Sequence, residues 1–373
     1  MRNRKGSVWY NGEGPELGTA AGSAARWAGA EAVSPKARWA RVEAVGSKVR
    51  WTRAEAVGSK ARWARAAIAG IAAAAIAALS GCGSAAPANG DGDGAIRVTT
   101  TIGQITDIVT NVGGAHVEVA GIMPSGVDPH LYKATQGDIA KFEDADIIFY
   151  NGLHLEGKMT EVFEEMAGQK PTIAVGEAVD EASLLEVADT EGAKTYDPHI
   201  WFDVKLWMKA AETVRDELSK LDPDNAAAYE ANASAYLAEL EALDAYAREQ
   251  IATIPEAQRV LVTAHDAFGY FGRAYDIEVR GLQGISTAAE AGSKDVTDLR
   301  DFLVERKIKA VFVETSVSNR SITAVIEGAK KLGHDIQEGG TLYSDAMGEE
   351  GTPEGTYVGM VRHNVDTIVK ALQ

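Results

Sequence analysis

DNAAAYEANASAYLAELEALDAYAREQIA, residues 224–252, is built almost wholly of helix formers, with apolar or aromatic positions at Tyr229, Tyr236, Leu237, Leu240, Leu243 and Ile251. Asp222 followed by Pro223 supplies an N-cap and a first-turn proline. The predicted helix is ~43 Å long at 1.5 Å per residue. On either side of it the pattern changes to short β-rich runs alternating with helical ones. Before it, strands are predicted at Ile96–Thr100, Val117–Ile122, Ile147–Tyr150 and Thr172–Val175, with helices near Ile102–Val112 and Thr135–Glu143. After it, strands are predicted at Val260–Thr263, Glu278–Gly281, Ala310–Val313 and Asp335–Leu342, with helices near 267–276, 293–307, 318–333 and 353–372. Such alternation implies parallel sheets with crossover helices. The fold class is therefore α/β, two (βα)-type lobes with mainly parallel sheets joined by one long rigid helix. Ligands of such architectures sit where lobes meet.

Charge is unevenly distributed along the 373 residues, which carry a formal net charge of -17. Residues 1–81 hold 13 basic and 5 acidic side chains, and the remainder 24 and 49. A body that acidic repels phosphates, which excludes nucleic acid as a partner. The single cysteine excludes an internal disulfide framework and a cysteine zinc finger. Residues 66–79 are fourteen in a row without a polar side chain, too short to span a bilayer but suited to a secretory signal flanked by Lys60, Arg62 and Arg65. Leu79-Ser80-Gly81-Cys82 follows directly and resembles the lipobox of bacterial lipoproteins, which implies cleavage before Cys82 and acylation of its sulfur. Acyl chains there would anchor the protein to a membrane. The Gly-rich stretch after Cys82 reads as a flexible tether. Arg-Trp recurs with a period of twelve at 26–27, 38–39, 50–51 and 62–63. That spacing puts no two neighbouring tryptophans on one helix face, so the repeats read as upstream sequence or an overlong signal region. The predicted organisation is signal region 1–81, lipidated cysteine and tether 82–94, N-terminal lobe 95–223, linking helix 224–253 and C-terminal lobe 254–373.

Two of the seven histidines share one context, Asp128-Pro129-His130 and Asp197-Pro198-His199, 69 residues apart. Asp as N-cap and Pro at the first position would put each histidine at the second position of a helix following a strand. The positive helix end would keep the ring neutral and able to bind metal. His265 after Val260–Thr263, and Asp345 after the strand ending at Leu342, have matching strand-end placements in the second lobe. Taken singly, each residue has a plain reading as a cap, a turn residue or a satisfied polar group. Jointly they supply two candidate ligands per lobe. Three imidazoles and a carboxylate fill a four-coordinate Zn²⁺ shell; a bidentate Asp345 would raise the count to five and suit Mn²⁺. Glu314, ending strand Ala310–Val313, is placed to orient a ligating imidazole. Asp128 and Asp197 read as caps first. His154 and His363 read as packing residues or as supports behind the ligands, and His116 and His334 as solvent-facing.

The blocks 128–159, 197–204 (DPHIWFDV), 263–287, 311–322 and 342–368 resemble those of the zinc/manganese solute-binding lipoproteins of bacterial ABC importers, across essentially all of 95–373. The resemblance implies metal bound between the lobes by His130, His199, His265 and Asp345. It also implies an extracytoplasmic, membrane-anchored monomer that delivers a divalent cation to an ABC permease and its ATPase. Members with Glu at the third ligand position are generally manganese proteins, and here that position is His265. Glu181 to Lys194 lacks the histidine-rich loop of many zinc-specific members. A nitrogen-rich site favours Zn²⁺ over Mn²⁺, so zinc is the expected cargo and manganese the runner-up. A metallohydrolase would need an open coordination position and a base, for which Glu314 is the one candidate. A surface adhesin is a further alternative. No GxGxxG or Walker-type loop points to a nucleotide cofactor, and no enzymatic activity is expected.

Overall fold

The computed structural model describes residues 94–188 and 194–373. The readings made for residues 1–81, for Cys82 and for the tether up to residue 93 lie outside the described residues. The first sheet has strand order β2-β1-β3-β4, from β1 (Ile96–Thr100), β2 (Val117–Gly121), β3 (Ile147–Tyr150) and β4 (Thr172–Ala174), all parallel. The crossovers carry α1 (Gly103–Gly113), α2 (Gln136–Asp144) and α3 (Thr160–Ala167). α1 buries Ile105, Ile108, Val109 and Val112, the three-four spacing of a core-facing stripe. α2 starts on a capping box, in which the Asp138 N–H donates to Thr135 Oγ1 and Asp138 Oδ2 accepts from the Thr135 N–H.

A short antiparallel pair, β5 (Glu186–Ala188) with β6 (Lys194–Tyr196), occupies a stretch for which the sequence reading assigned no element. Strands of three residues give too few positions for alternation to register. Then come α4 (Val204–Leu221) and α5 (Ala226–Ala252). The Asp222-Pro223 signal launches a 3₁₀ turn, Pro223–Asn225, and α5 starts after it. The Asp222 carboxylate accepts from Asn225 Nδ2 at 2.7 Å and from the Tyr229 hydroxyl at 2.8 Å, so the aspartate stitches the turn to the helix that follows. α5 buries Tyr229, Ala233, Tyr236, Leu240, Leu243, Ala247 and Ile251.

The second half contains β7 (Val260–His265), α6 (Gly269–Tyr275), β8 (Glu278–Gln283), α7 (Ser293–Arg306), β9 (Ala310–Glu314), α8 (Arg320–Lys331), β10 (Gln337–Leu342) and α9 (Tyr357–Leu372). β7 pairs in parallel with β8, β9 with β10, and β7 lies alongside β9. Every residue of β7 and β9 is buried, as expected for parallel strands covered on both faces. α5 packs on α1 and α4 of the first half and on α6 and α9 of the second. One apolar core accordingly runs from Val98 through α5 to Leu372, and a second lies among β7, β9, α7 and α8. Among the described residues no helix is long and apolar enough to cross a membrane.

Asp107 on α1 meets that core. Its Oδ2 accepts from the Tyr236 hydroxyl at 2.8 Å, yet burial pushes the carboxyl up to about 6. A raised acid stabilises the fold below its unfolded pKa of 3.8 and loses that contribution as pH rises through about 6. Asp107→Asn should flatten this slope, removing about 1–3 kcal/mol of stability loss between pH 4 and pH 7. Urea unfolding of both proteins at the two pH values reads the difference, and an unchanged slope would show that Asp107 is not its source.

Candidate metal centre

His130 lies in the turn after β2, where its N–H donates to Asp128 Oδ1 at 2.9 Å. His199 repeats the arrangement, its N–H donating to Asp197 Oδ1 at 2.9 Å. These Asx-type turns correct the expected helix starts. His130 sits in a hydrogen-bonded turn, and His199 immediately precedes the 3₁₀ turn Ile200–Phe202. Each aspartate takes the N–H two residues on and turns the chain in place of opening an α-helix. A helix dipole therefore has no part in keeping His130 neutral. Burial does that, lowering its pKa to about 3.

His265 is the last residue of β7 and Glu314 the last of β9, so two strands that lie alongside each other bring them together. Glu314 Oε1 accepts from the His265 N–H at 2.9 Å, and Oε2 lies 2.5 Å from Nδ1. Asp345 stands three residues beyond β10. Its loop is fixed at Tyr343, whose N–H donates to Asn364 Oδ1 and whose carbonyl accepts from Asn364 Nδ2.

The four predicted residues converge. Their potential ligand atoms all lie within 4.8 Å of one another and could hold a metal ion. His130 is 4% exposed and the other three 0–1%. His130 Nε2 lies 3.3 Å from His199 Nε2, and Asp345 Oδ1 lies 3.3 Å from His199 Nε2 and 3.4 Å from His265 Nε2. A tetrahedral zinc shell with bonds of about 2.0–2.1 Å spaces its donor atoms about 3.3–3.4 Å apart. A fourth pair, His130 Nε2 and Asp345 Oδ2, is wider at 3.9 Å. Both oxygens of Asp345 and Nε2 of His265 are buried without a hydrogen-bond partner. Buried polar atoms are ordinarily satisfied, so these orphans face a centre built for something else.

In the metal-free centre the charges of imidazoles and carboxylates are set against one another. Burial works against ionised Asp345, but His265, His199 and His130 outweigh it and hold the carboxyl well below the usual range. Burial likewise pulls His199 down, but Asp197 and Asp345 raise it to about 9. His265 is raised well above its ordinary value by Glu314 and Asp345, again against burial. Asp197 Oδ1 sits 2.7 Å from His199 Nδ1, so one carboxylate both shapes the turn and orients the ring. The sequence suggested helix capping first for Asp197; the carboxylate instead closes a turn and contacts the ring. Asp128 Oδ2, in turn, accepts from the Thr287 hydroxyl at 2.6 Å, a contact no sequence signal announced.

The other histidines lie elsewhere. His334 is half-buried with Nε2 2.7 Å from the Ile308 carbonyl, and His116 is half-buried edge-on to Tyr229, so neither is solvent-facing as expected. His363 packs edge-on against Tyr343 with Nε2 3.0 Å from the Thr341 carbonyl, whereas His154 is exposed.

The sequence profile described as ZnuA, zinc-uptake complex component A periplasmic, matches residues 98–371. The manganese-binding lipoprotein MntA of Bacillus subtilis (strain 168) is 52% identical over 296 residues, covering 79% of this chain and 95% of that protein. The zinc-binding protein TroA of Treponema pallidum (strain Nichols) is 49% identical over 280 residues, covering 75% and 90%. The solved structure of the periplasmic zinc-binding protein TroA from Treponema pallidum superposes with a TM-score of 0.72 at 48% identity, covering 75% of this chain and 99% of that one.

Proposed function

We propose, from the premise that the chain belongs to the zinc-uptake complex component A periplasmic family, that it is the extracytoplasmic receptor of a metal ABC importer. It captures a divalent cation through His130, His199, His265 and Asp345 and hands it to a permease driven by an ATPase. The observation that carries this reading is the cluster of buried donor atoms within 4.8 Å of one another, of which His265 Nε2 and both Asp345 oxygens have no hydrogen-bond partner. Zn²⁺ is the favoured cargo because three of the four donors are imidazoles. Mn²⁺ is the second reading, supported by the 52% identity to a protein named for manganese binding. Acylation of Cys82 anchors a monomer to the outer face of the membrane. Four side chains fill the shell and leave no position for an activated water, which argues against a hydrolase. Glu314, the one candidate base, faces His265 Nδ1 and is buried.

Isothermal titration of the metal-stripped chain with Zn²⁺ and with Mn²⁺ tests the proposal. One tightly bound ion per chain is expected, with Zn²⁺ the tighter. No binding of either would end it. Asp197→Asn should weaken binding about 10- to 100-fold, the usual effect of losing a carboxylate that orients a ligating histidine. Competition with a chromogenic chelator measures it, and unchanged affinity would leave Asp197 a turn residue only.

A further inference from the structure

Resting on the receptor reading above, the geometry points to Gln104 and Trp201 as a pair of positioning residues that fix the Asp345 ligand from the other half of the molecule by sharing the carbonyl of Ser344. Trp201 Nε1–H donates to that oxygen at 3.1 Å and Gln104 Nε2–H at 3.3 Å. Ser344 is the residue before Asp345, so its carbonyl belongs to the peptide plane that carries the Asp345 N–H. Asp345 itself has no hydrogen bond to either carboxylate oxygen. Without cargo, then, what aims the carboxylate is the backbone on which it stands. On the second-half side that backbone is held by Asn364 at Tyr343 and by Ser316 Oγ, 3.1 Å from Ser344 Oγ. On the first-half side it is held by Gln104 and Trp201.

Both donors bear marks of this role. Gln104 is fully buried on α1, and its Oε1 has no partner. An orphaned buried amide oxygen costs stability that a leucine or methionine at the same place would not. Among the described residues, the one hydrogen bond of the Gln104 side chain is its donation to Ser344. Trp201 stands two residues after His199, and its indole lies edge-on to that imidazole with ring centroids 5.2 Å apart. Its own carbonyl accepts from the Tyr357 hydroxyl of α9 at 2.6 Å. One buried indole therefore touches one ligand with its ring and sets another through its N–H. The pair holds the ligands at the spacing a cation needs, and freeing the Ser344 carbonyl lets the Asp345 loop move away and the cation leave.

The test compares the full chain with its Trp201→Phe and Gln104→Met variants, which keep an aromatic ring or an unbranched chain in place and remove the donor. Zn²⁺-loaded protein is mixed with excess chromogenic chelator in a stopped-flow instrument, and melting is recorded with and without Zn²⁺. Each variant should release Zn²⁺ about 5- to 100-fold faster, the range for freeing a buried carbonyl. Each should also lose more of its melting temperature in the loaded than in the metal-free form. Release at the unaltered rate, or equal loss in both forms, overturns the proposal. Should Trp201→Phe fail to fold, Gln104→Met decides alone by the same criteria. An unaltered chain that Zn²⁺ does not stabilise would sink the receptor reading instead.

Discussion

Metal-stripped protein given Zn²⁺ at about 1,000 times its Kd should gain about 4 kcal/mol of stability, and His199→Ala should abolish that gain. His199 is the residue on which the centre turns. Its ring is fully buried, with Asp197 on one nitrogen and both His130 and Asp345 around the other. Removing it deletes a proposed ligand and strands two buried carboxylates. The metal-free variant should itself lose about 3–5 kcal/mol, the range for breaking a buried charge pair from one side. pH separates the two effects. Because His199 is raised to about 9 in the folded protein, its stabilisation is complete below the unfolded value of 6.5 and fades as pH climbs through about 9. The metal-free protein should lose stability across that window. The zinc-loaded protein should not, since the cation has already displaced the protons. His334→Ala is the control, because that ring bonds the Ile308 carbonyl and lies outside the centre. Thermal unfolding with and without Zn²⁺ at pH 6.5 and 9 reads all of this. A His199→Ala protein still stabilised by Zn²⁺ as strongly as the unaltered one would break the assignment.

Strand-end placement made the centre legible in the sequence. His265 follows the apolar run Val260–Val262 and Asp345 follows the strand that ends at Leu342, and parallel sheets place such positions at one edge. The repeated Asp-Pro-His context marked the other two residues, although for a mistaken reason. The same Asp-Pro letters open a helix at an N-cap or close an Asx turn, and only the course of the following chain decides between them. Glu314 was legible because it ends a strand, and β9 lies beside β7. Gln104, Trp201 and Thr287 were not. Their partners are 240, 143 and 159 residues away, and a buried glutamine on an amphipathic helix carries no local sign of its acceptor. Periodicity reports which face of an element is buried, and is silent on which distant carbonyl lies against it.

His265→Glu is the substitution that chemistry suggests for turning a zinc site toward manganese, since carboxylate oxygens suit Mn²⁺ better than imidazole does. In this molecule it should fail when made alone. Glu314 Oε2 lies 2.5 Å from His265 Nδ1, with both side chains fully buried, and Asp345 lies on the other side of the ring. A glutamate at 265 would face two buried carboxylates with no cation to offset them. The metal-free variant should be about 3–5 kcal/mol less stable than the unaltered protein, and its zinc affinity should fall with the loss of a well-oriented imidazole. Adding Glu314→Gln removes one of the opposed charges while keeping an oxygen for the backbone N–H of residue 265, the bond now made at 2.9 Å. The double variant should recover most of the stability. Its preference for Zn²⁺ over Mn²⁺ should be narrowed by at least about tenfold, because two carboxylates and two imidazoles form a harder donor set. Competition between the two metals, measured on the single and double variants beside urea unfolding of each metal-free protein, makes the comparison. A single variant as stable as the unaltered protein would mean that Glu314 does not bear a charge against His265. A double variant with unchanged metal preference would mean that the third ligand does not set selectivity, leaving it to the spacing of the other three.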